Sequence, residues 1–303
     1  MAQPSVQKVF RWAFNAAETG FDPAQISDLY SNYVIANIFE PPLQYDFLAR
    51  PVLVKPRTLV AMPEISSDFR TYTLRLRPGI FFQDDSAFKG RRRELTAADH
   101  VYACKRVFDP RWKSPQFTSM EKYGIPGLAD LRKQAQATGE FEYEREVEGL
   151  RVLDPLTFLV KLPKPEPGFI YEFLDARIFG ATAHEVVEMY GDDMMAHPVG
   201  TGPFRLAQWR RSSFIVLERS PTFRDEFYDA QPSANDPRAQ QIAAQLKGRK
   251  LPMVDRVEIS ILNESQPRWL SFLKGGQDAV NVPLEFINQA VPHGKVSPAA
   301  DTR

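Results

Sequence analysis

The stretch HPVGTGPFRL, residues 197–206, wedges two glycines and two prolines between a helical-looking run and a strand-like one. Glycine-rich turns in such settings cradle phosphates or expose nucleophiles, so the chemistry of this one comes first. It lacks the G-x-x-x-x-G-K-[ST] spacing and has no lysine to reach a phosphate. It is no dinucleotide fingerprint either, because Pro203 stands where a helix-opening residue would present backbone N–H groups. A G-x-S-x-G nucleophile elbow occurs nowhere in the chain. What remains is a rigid turn: Pro198 and Pro203 fix φ, the glycines permit unusual dihedrals, and a strand follows from Phe204. The reading is scaffolding.

Other reactive residue types do not converge. The four histidines, His100, His184, His197 and His293, include no H-x-x-x-H or H-x-H pair. His184 with Glu185 and Glu188 comes nearest to a metal set, and a surface helix start accounts for it. Asp84-Asp85 and Asp192-Asp193 are adjacent carboxylates whose side chains point apart in a strand or turn, which makes them poor general acid/base pairs. Cys104, the only cysteine, excludes an intramolecular disulfide and a Cys-based zinc cluster. It sits mid-helix in TAADHVYACKRVFD, the setting of a packed thiol rather than a nucleophile. Catalytic residues: none; metal ligands: none; cofactors: none.

Composition narrows the class further. The 38 basic and 38 acidic residues balance, so no global field draws nucleic acid or anionic lipid. The basic KGRRRE (89–94) reads as a solvated loop, with no interleaved aromatics to form a nucleic-acid groove. No run approaches the ~18 apolar residues of a membrane span. The 22 Phe and 10 Tyr are mostly core material, yet such a surplus also suits apolar or peptide-like ligands. MAQPSVQKVF has no apolar signal-peptide core. That fits a cytoplasmic protein, or one whose export signal is already removed, with Ala2 or Gln3 near the mature terminus.

Positioning elements follow from periodicity. KVFRWAF (8–14) reads as a strand and NAAETGFDP (15–23) as a turn-rich connector. Ser27 or Asp28 caps a helix whose apolar positions are Leu29, Tyr33, Val34, Ile38 and Phe39, ended by Pro41-Pro42. Tyr72, Leu74 and Leu76 alternate with polar residues in a strand that turns at Pro78-Gly79. Thr96 and Asp99 form an acidic capping box for a helix with Val101, Cys104, Val107 and Phe108 on one face. Residues 147–162 form two strands about Asp154-Pro155, and RLAQWRRSSFIVLERSP forms two more about Arg210–Ser213. PRAQQIAAQLKG is a helix, DRVEISIL a strand, and PRWLSFLKGG an amphipathic helix closed by Gly275-Gly276.

Several segments together resemble family 5 extracellular solute-binding proteins, the peptide-binding components of ABC importers. NAAETGFDPAQISDLYSNYVIANIFEPPLQYD resembles the family's opening, where a first strand leads through an FDP-type turn into a helix ending near L-x-YD. MPEISSDFRTYTLRLRPGIFFQDD with LTAADHVYACKRVFDP, then HPVGTGPFRLAQW, then RVEISILNESQPRWLSFLKGGQDAVNVP, match further segments in the expected order. Pro41-Pro42 depart from the Gly-Leu usual there. The resemblance implies an α/β fold of the periplasmic binding protein type II, cluster C: lobe I with an inserted mixed α/β subdomain, the second lobe absent. The corresponding division is 1–45 and 178–290 as the lobe I body, 46–177 as the inserted subdomain, and 291–303 as a tail leading to the missing lobe II. Members of the family are considerably longer, so the chain is expected to be an N-terminal portion.

The resemblance also implies function. The expected partners are a peptide or small-molecule solute and the membrane subunits of an ABC permease, with no nucleic acid and no direct membrane insertion. The expected compartment is the periplasm. An extended peptide would lie partly on backbone after the first strand, which maps to Ala17, Glu18, Thr19 and Gly20. Nickel, haem or oligosaccharide remain open as solutes, since the fold does not fix the ligand. The rival reading is a hydrolase acting on carbohydrate or peptide. It would need two of Glu18, Asp22 and Asp84 facing each other at roughly 5–9 Å.

Overall fold

The computed structural model describes residues 7–297; Ala2, Gln3 and residues 298–303 of the expected tail lie outside the described residues. Among the described residues, β1 (Val9–Phe14), β2 (Leu43–Tyr45), β3 (Val54–Pro56), β4 (Glu64–Ile65) and β5 (Thr71–Arg75) come first. β6 (Leu150–Asp154), β7 (Thr157–Lys161), β8 (Phe204–Arg210) and β9 (Phe214–Arg219) follow. β10 (Glu226–Phe227), β11 (Lys250–Leu251) and β12 (Arg256–Ile261) complete the strands, with helices interspersed. The fold is mixed α/β, and no helix of the described residues is long and apolar enough to cross a membrane.

The chain divides into two compact units. The first comprises Met1–Thr19, Leu206–Arg219 and Pro252–Arg303, and the second Gly20–Arg205 and Ser220–Leu251. The first is built on a four-stranded sheet of order β1-β12-β9-β8. β1 runs parallel to β12, from Val9 opposite Arg256 to Phe14 opposite Ile261, and β9 pairs antiparallel to β12. Ile215, Val216 and Leu217 of β9 are all buried, as expected of a strand covered on both faces. The helix Ser265–Leu273 buries Trp269 and Phe272, and the Trp269 ring stacks on Phe286. It ends as its sequence predicts, with Gly275 at φ +83°.

The second unit contains an antiparallel sheet of order β4-β5-β7-β6. Tyr72 and Leu74 are buried and Arg75 is exposed, so the period-two pattern of the sequence is realised. The helix Ala97–Phe108 buries Val101, Cys104, Val107 and Phe108, and the Asp99 carboxylate accepts from Thr96 N at 2.7 Å. Ile178, Phe179, Val186 and Val199 share one core with Tyr72, Leu74, Phe158 and Val160. The compact units therefore do not follow the expected boundaries at 45/46 and 177/178.

The helix after Asp28 is shorter than its pattern predicts. Asp28 caps it, accepting from Ser31 N at 2.7 Å, but it spans only Leu29–Ile35, well before Pro41-Pro42. Leu29 and Tyr33 are exposed, while Val34, Ile35, Ile38 and Phe39 are buried. The reason is tertiary. The carbonyls of Asn37 and Ile38 accept from Phe204 N and Gly202 N, at 3.1 and 2.8 Å, so the chain leaves the helix to meet the 197–206 turn. The pairing of β10 with β11 lies partly in a segment the sequence marks only as polar and proline-rich.

Candidate ligand-binding loop

In the first unit, the chain leaves β1 at Phe14 and runs through residues 15–19 beside the turn that joins β8 to β9. Glu18 is buried at 3% exposure. Its Oε1 accepts from Trp209 Nε1 at 2.6 Å and from Ser212 N at 2.9 Å. Ser212 has φ +56°, a left-handed conformation that aims its N–H inward across the tight turn. Arg211 donates to the Thr19 carbonyl at 2.8 Å, and its guanidinium lies 5.5 Å from the Trp209 ring centroid. One buried carboxylate and one arginine thus fasten the loop to the β8–β9 turn.

The second carboxylate oxygen differs. Glu18 Oε2 is buried and has no hydrogen-bond partner. Among the described residues, the other buried acids are Asp22, Glu40, Asp46, Asp99 and Asp109, and none of them leaves an oxygen so stranded. Ala17 is half-buried and Thr19 exposed. Gly20 opens the second unit, where a Cβ at its φ of +149° would overlap the Met195 side chain.

A family model, bacterial extracellular solute-binding proteins, family 5 Middle, matches residues 54–302. The chain belongs to this family. The periplasmic oligopeptide-binding protein OppA of Salmonella typhimurium is 30% identical over 207 residues, covering 67% of this chain and 34% of that protein. Di/tripeptide-binding protein 2 of Pseudomonas aeruginosa is 27% identical over 225 residues, covering 73% of this chain and 39% of that protein. Among solved structures, Haemophilus influenzae OppA in complex with RPPGFSPFR superposes with TM-score 0.71 at 18% identity, over 95% of this chain and 48% of that one. DppA from Helicobacter pylori in complex with the peptide STSA gives 0.66 at 20% identity, over 94% and 49%. The chain thus spans about a third of the length of these curated relatives and about half that of the solved structures.

Membership in a family of solute-binding proteins removes the support for a hydrolase, and the local geometry agrees. Asp22 is fully buried and bound by Arg106 through two bonds of 2.7 and 2.8 Å, with Gln25 Nε2 at 2.7 Å. Burial alone would raise its pKa, but the Arg106 guanidinium holds it below the usual carboxylate range. A carboxylate so fixed neither gives nor takes a proton near neutrality. Asp84 is exposed, and its neighbour Asp85 caps the turn Ser86–Phe88 and binds His197 Nε2 at 2.8 Å. No group of three or more metal-ligating side chains occurs among the described residues.

The 197–206 turn is scaffolding, though its glycines serve differently than their type implies. Neither Gly200 nor Gly202 has positive φ. A Cβ at Gly200 would run into the Ile38 carbonyl, and one at Gly202 into those of Asn37 and Ile38. Close backbone approach, not an unusual dihedral, demands glycine there. Thr201 Oγ1 meanwhile donates to Glu40 Oε2 at 3.0 Å. Sequence reasoning singled out Glu18 but missed Trp209, Arg211 and Ser212, which hold it. The one signal available was a tryptophan in an otherwise polar hairpin, QWRRSS.

Proposed function

We propose that this chain belongs to the solute-binding component of an ABC importer, capturing peptides or a related small solute in the periplasm and delivering them to a membrane permease. The observation that carries this reading is the fastened loop after β1, with its stranded Glu18 oxygen, in a chain of the family 5 solute-binding proteins. A buried carboxylate oxygen without a partner is costly and calls for a donor. A peptide N–H supplies one. In this reading the ligand lies extended along Ala17, Glu18, Thr19 and Gly20, bound partly through main-chain hydrogen bonds that ignore side-chain identity. No residue here transfers a proton or forms a covalent bond to the ligand; the chain binds and does not catalyse.

Binding is measurable. Amide shifts of the isotope-labelled chain are followed as mixed di- to pentapeptides are added, with glutathione, a disaccharide and Ni²⁺ in parallel. The expected result is saturable shifts clustered at residues 15–20 and 209–213 with peptide, abolished by Glu18→Ala. Shifts scattered over the surface, or clustered there only with the sugar or the metal, overturn the peptide reading.

A further inference from the structure

The second unit carries a crevice of about 150 Å³ that the loop after β1 does not use. Three aromatic rings line it among charged side chains. Tyr102 and Tyr143 have ring centroids 4.7 Å apart at 43°, and Trp112 is buried beside them. The polar edges of these rings are tied back. Trp112 Nε1 donates to Tyr143 Oη at 2.8 Å, and Tyr143 Oη donates to Asp109 Oδ2 at 2.6 Å. The acids outnumber the bases at the lining, with buried Asp109 and exposed Glu188 among them. Burial, against the pull of Arg106, together with Glu188 and Asp109, pushes the Tyr102 hydroxyl up to about 12, so that wall stays neutral.

The crevice already shows a taste for cations. The Arg106 guanidinium sits 4.3 Å from the Trp112 centroid, but it is committed to Asp22. Arg111 lies 4.5 Å from the same ring, its side chain 63% exposed and its acid partner Asp192 no closer than 3.9 Å. A loosely held cation therefore rests on the aromatic rim. Aromatic faces beside carboxylates are the pattern that recognises ammonium heads, and they need no directional hydrogen bond from the ligand.

We propose that this crevice binds a small alkylammonium cation, a quaternary head group being the simplest occupant, at a site separate from the peptide-binding loop. The probes are choline and its uncharged carbon analogue 3,3-dimethylbutan-1-ol, titrated calorimetrically into the 303-residue chain. Choline is expected to saturate in the millimolar range, and the analogue to bind at least about tenfold more weakly. Tyr102→Leu is expected to weaken choline by about tenfold, and Glu188→Gln, at an exposed position, by about threefold. Glu18→Gln is expected to leave choline binding unchanged, which separates this site from the proposed peptide site. No saturation up to about 50 mM choline, equal affinity for the analogue, or an unchanged affinity in Glu188→Gln each overturns the proposal. Should Tyr102→Leu fail to fold, the analogue and Glu188→Gln still decide it.

Discussion

Replacing Glu40 by glutamine probes what holds the 197–206 turn. The Glu40 carboxylate is 1% exposed and lies at the centre of a charged knot within the second unit. Oε1 accepts from Arg57 Nε at 3.0 Å and Arg224 Nη2 at 2.9 Å. Oε2 accepts from Arg224 Nη1 at 2.7 Å and Thr201 Oγ1 at 3.0 Å. Burial works to raise its pKa, but Arg224 and Arg57 outweigh burial and hold it at about 2 against an ordinary 4.5. At about 1.4 kcal/mol per pH unit, that depression corresponds to about 3 kcal/mol of folding stability. Because the folded value lies below the unfolded one, the contribution is complete above pH 4.5 and is lost as the pH falls through about 2. At pH 3 less than half of it, roughly 1 kcal/mol, remains.

Glu40→Gln keeps the shape and removes the charge, leaving Arg57 and Arg224 without their shared counter-ion. Breaking a buried pair from one side costs about 3–5 kcal/mol. The low end applies, since Arg224 also contacts Glu226 at 2.7 Å. Urea unfolding at pH 7 and pH 3 is the assay. The variant is expected to be about 3 kcal/mol less stable at pH 7, equivalent to roughly 6–12 °C in Tm. At pH 3 the deficit shrinks to about half. A deficit below about 1 kcal/mol at pH 7, or one that does not change with pH, refutes the assignment of Glu40 as an ionised anchor.

Three further outcomes follow from single contacts. Gly200→Ala sets a methyl against the Ile38 carbonyl, which cannot move freely because it accepts from Gly202 N at 2.8 Å. A loss of about 1–3 kcal/mol in urea unfolding is expected, and an unchanged midpoint would refute the close-approach argument. Cys104 is fully buried and its thiol is pushed up to about 12 by that burial, so Ellman's reagent is expected to label it only in denaturant. Rapid labelling of the native chain would contradict this. His100 is held at about 4 by burial, partly countered by its 2.7 Å contact with the Phe179 carbonyl. It is neutral when folded, so its contribution is full above pH 6.5 and lost as the pH falls toward 4, about 3 kcal/mol in all. His100 ring resonances titrating near 6.5 in the folded chain would refute it.

Legibility in the sequence tracked how local the cause was. The capping box at Thr96 and Asp99, the strands about Asp154-Pro155 and the helix closed at Gly275 all arise within one or two turns of chain, and each was read correctly. The helix after Asp28 was read too long because its end is set by Gly202 and Phe204, far away in sequence. The 197–206 turn was correctly read as scaffolding, yet the reason for its glycines lay in carbonyls of residues 37 and 38. Arg106 had the same limit: it looks like a surface residue of an amphipathic helix, and only Asp22, 84 positions away, explains its 1% exposure.

Most of the buried acids are held by partners of their own. Asp22 answers to Arg106, Glu40 to Arg57 and Arg224, and Asp99 to Arg93 and Thr96 N. Asp46 accepts from Leu48 N, Ala49 N and Gln231 N. These carboxylates are engaged on both oxygens by cations, side chains and backbone donors. Glu18 breaks the pattern in one atom. Its Oε1 is fully engaged in holding the loop, so the unengaged Oε2 sits at a fixed place and angle. Under the proposed function it receives an N–H that arrives with a ligand, because the acceptor is already ordered and desolvated and little further entropy is lost on binding. Under the proposed function, the same carboxylate is therefore both anchor and contact: Trp209 and Ser212 position it, and the ligand completes its hydrogen bonding.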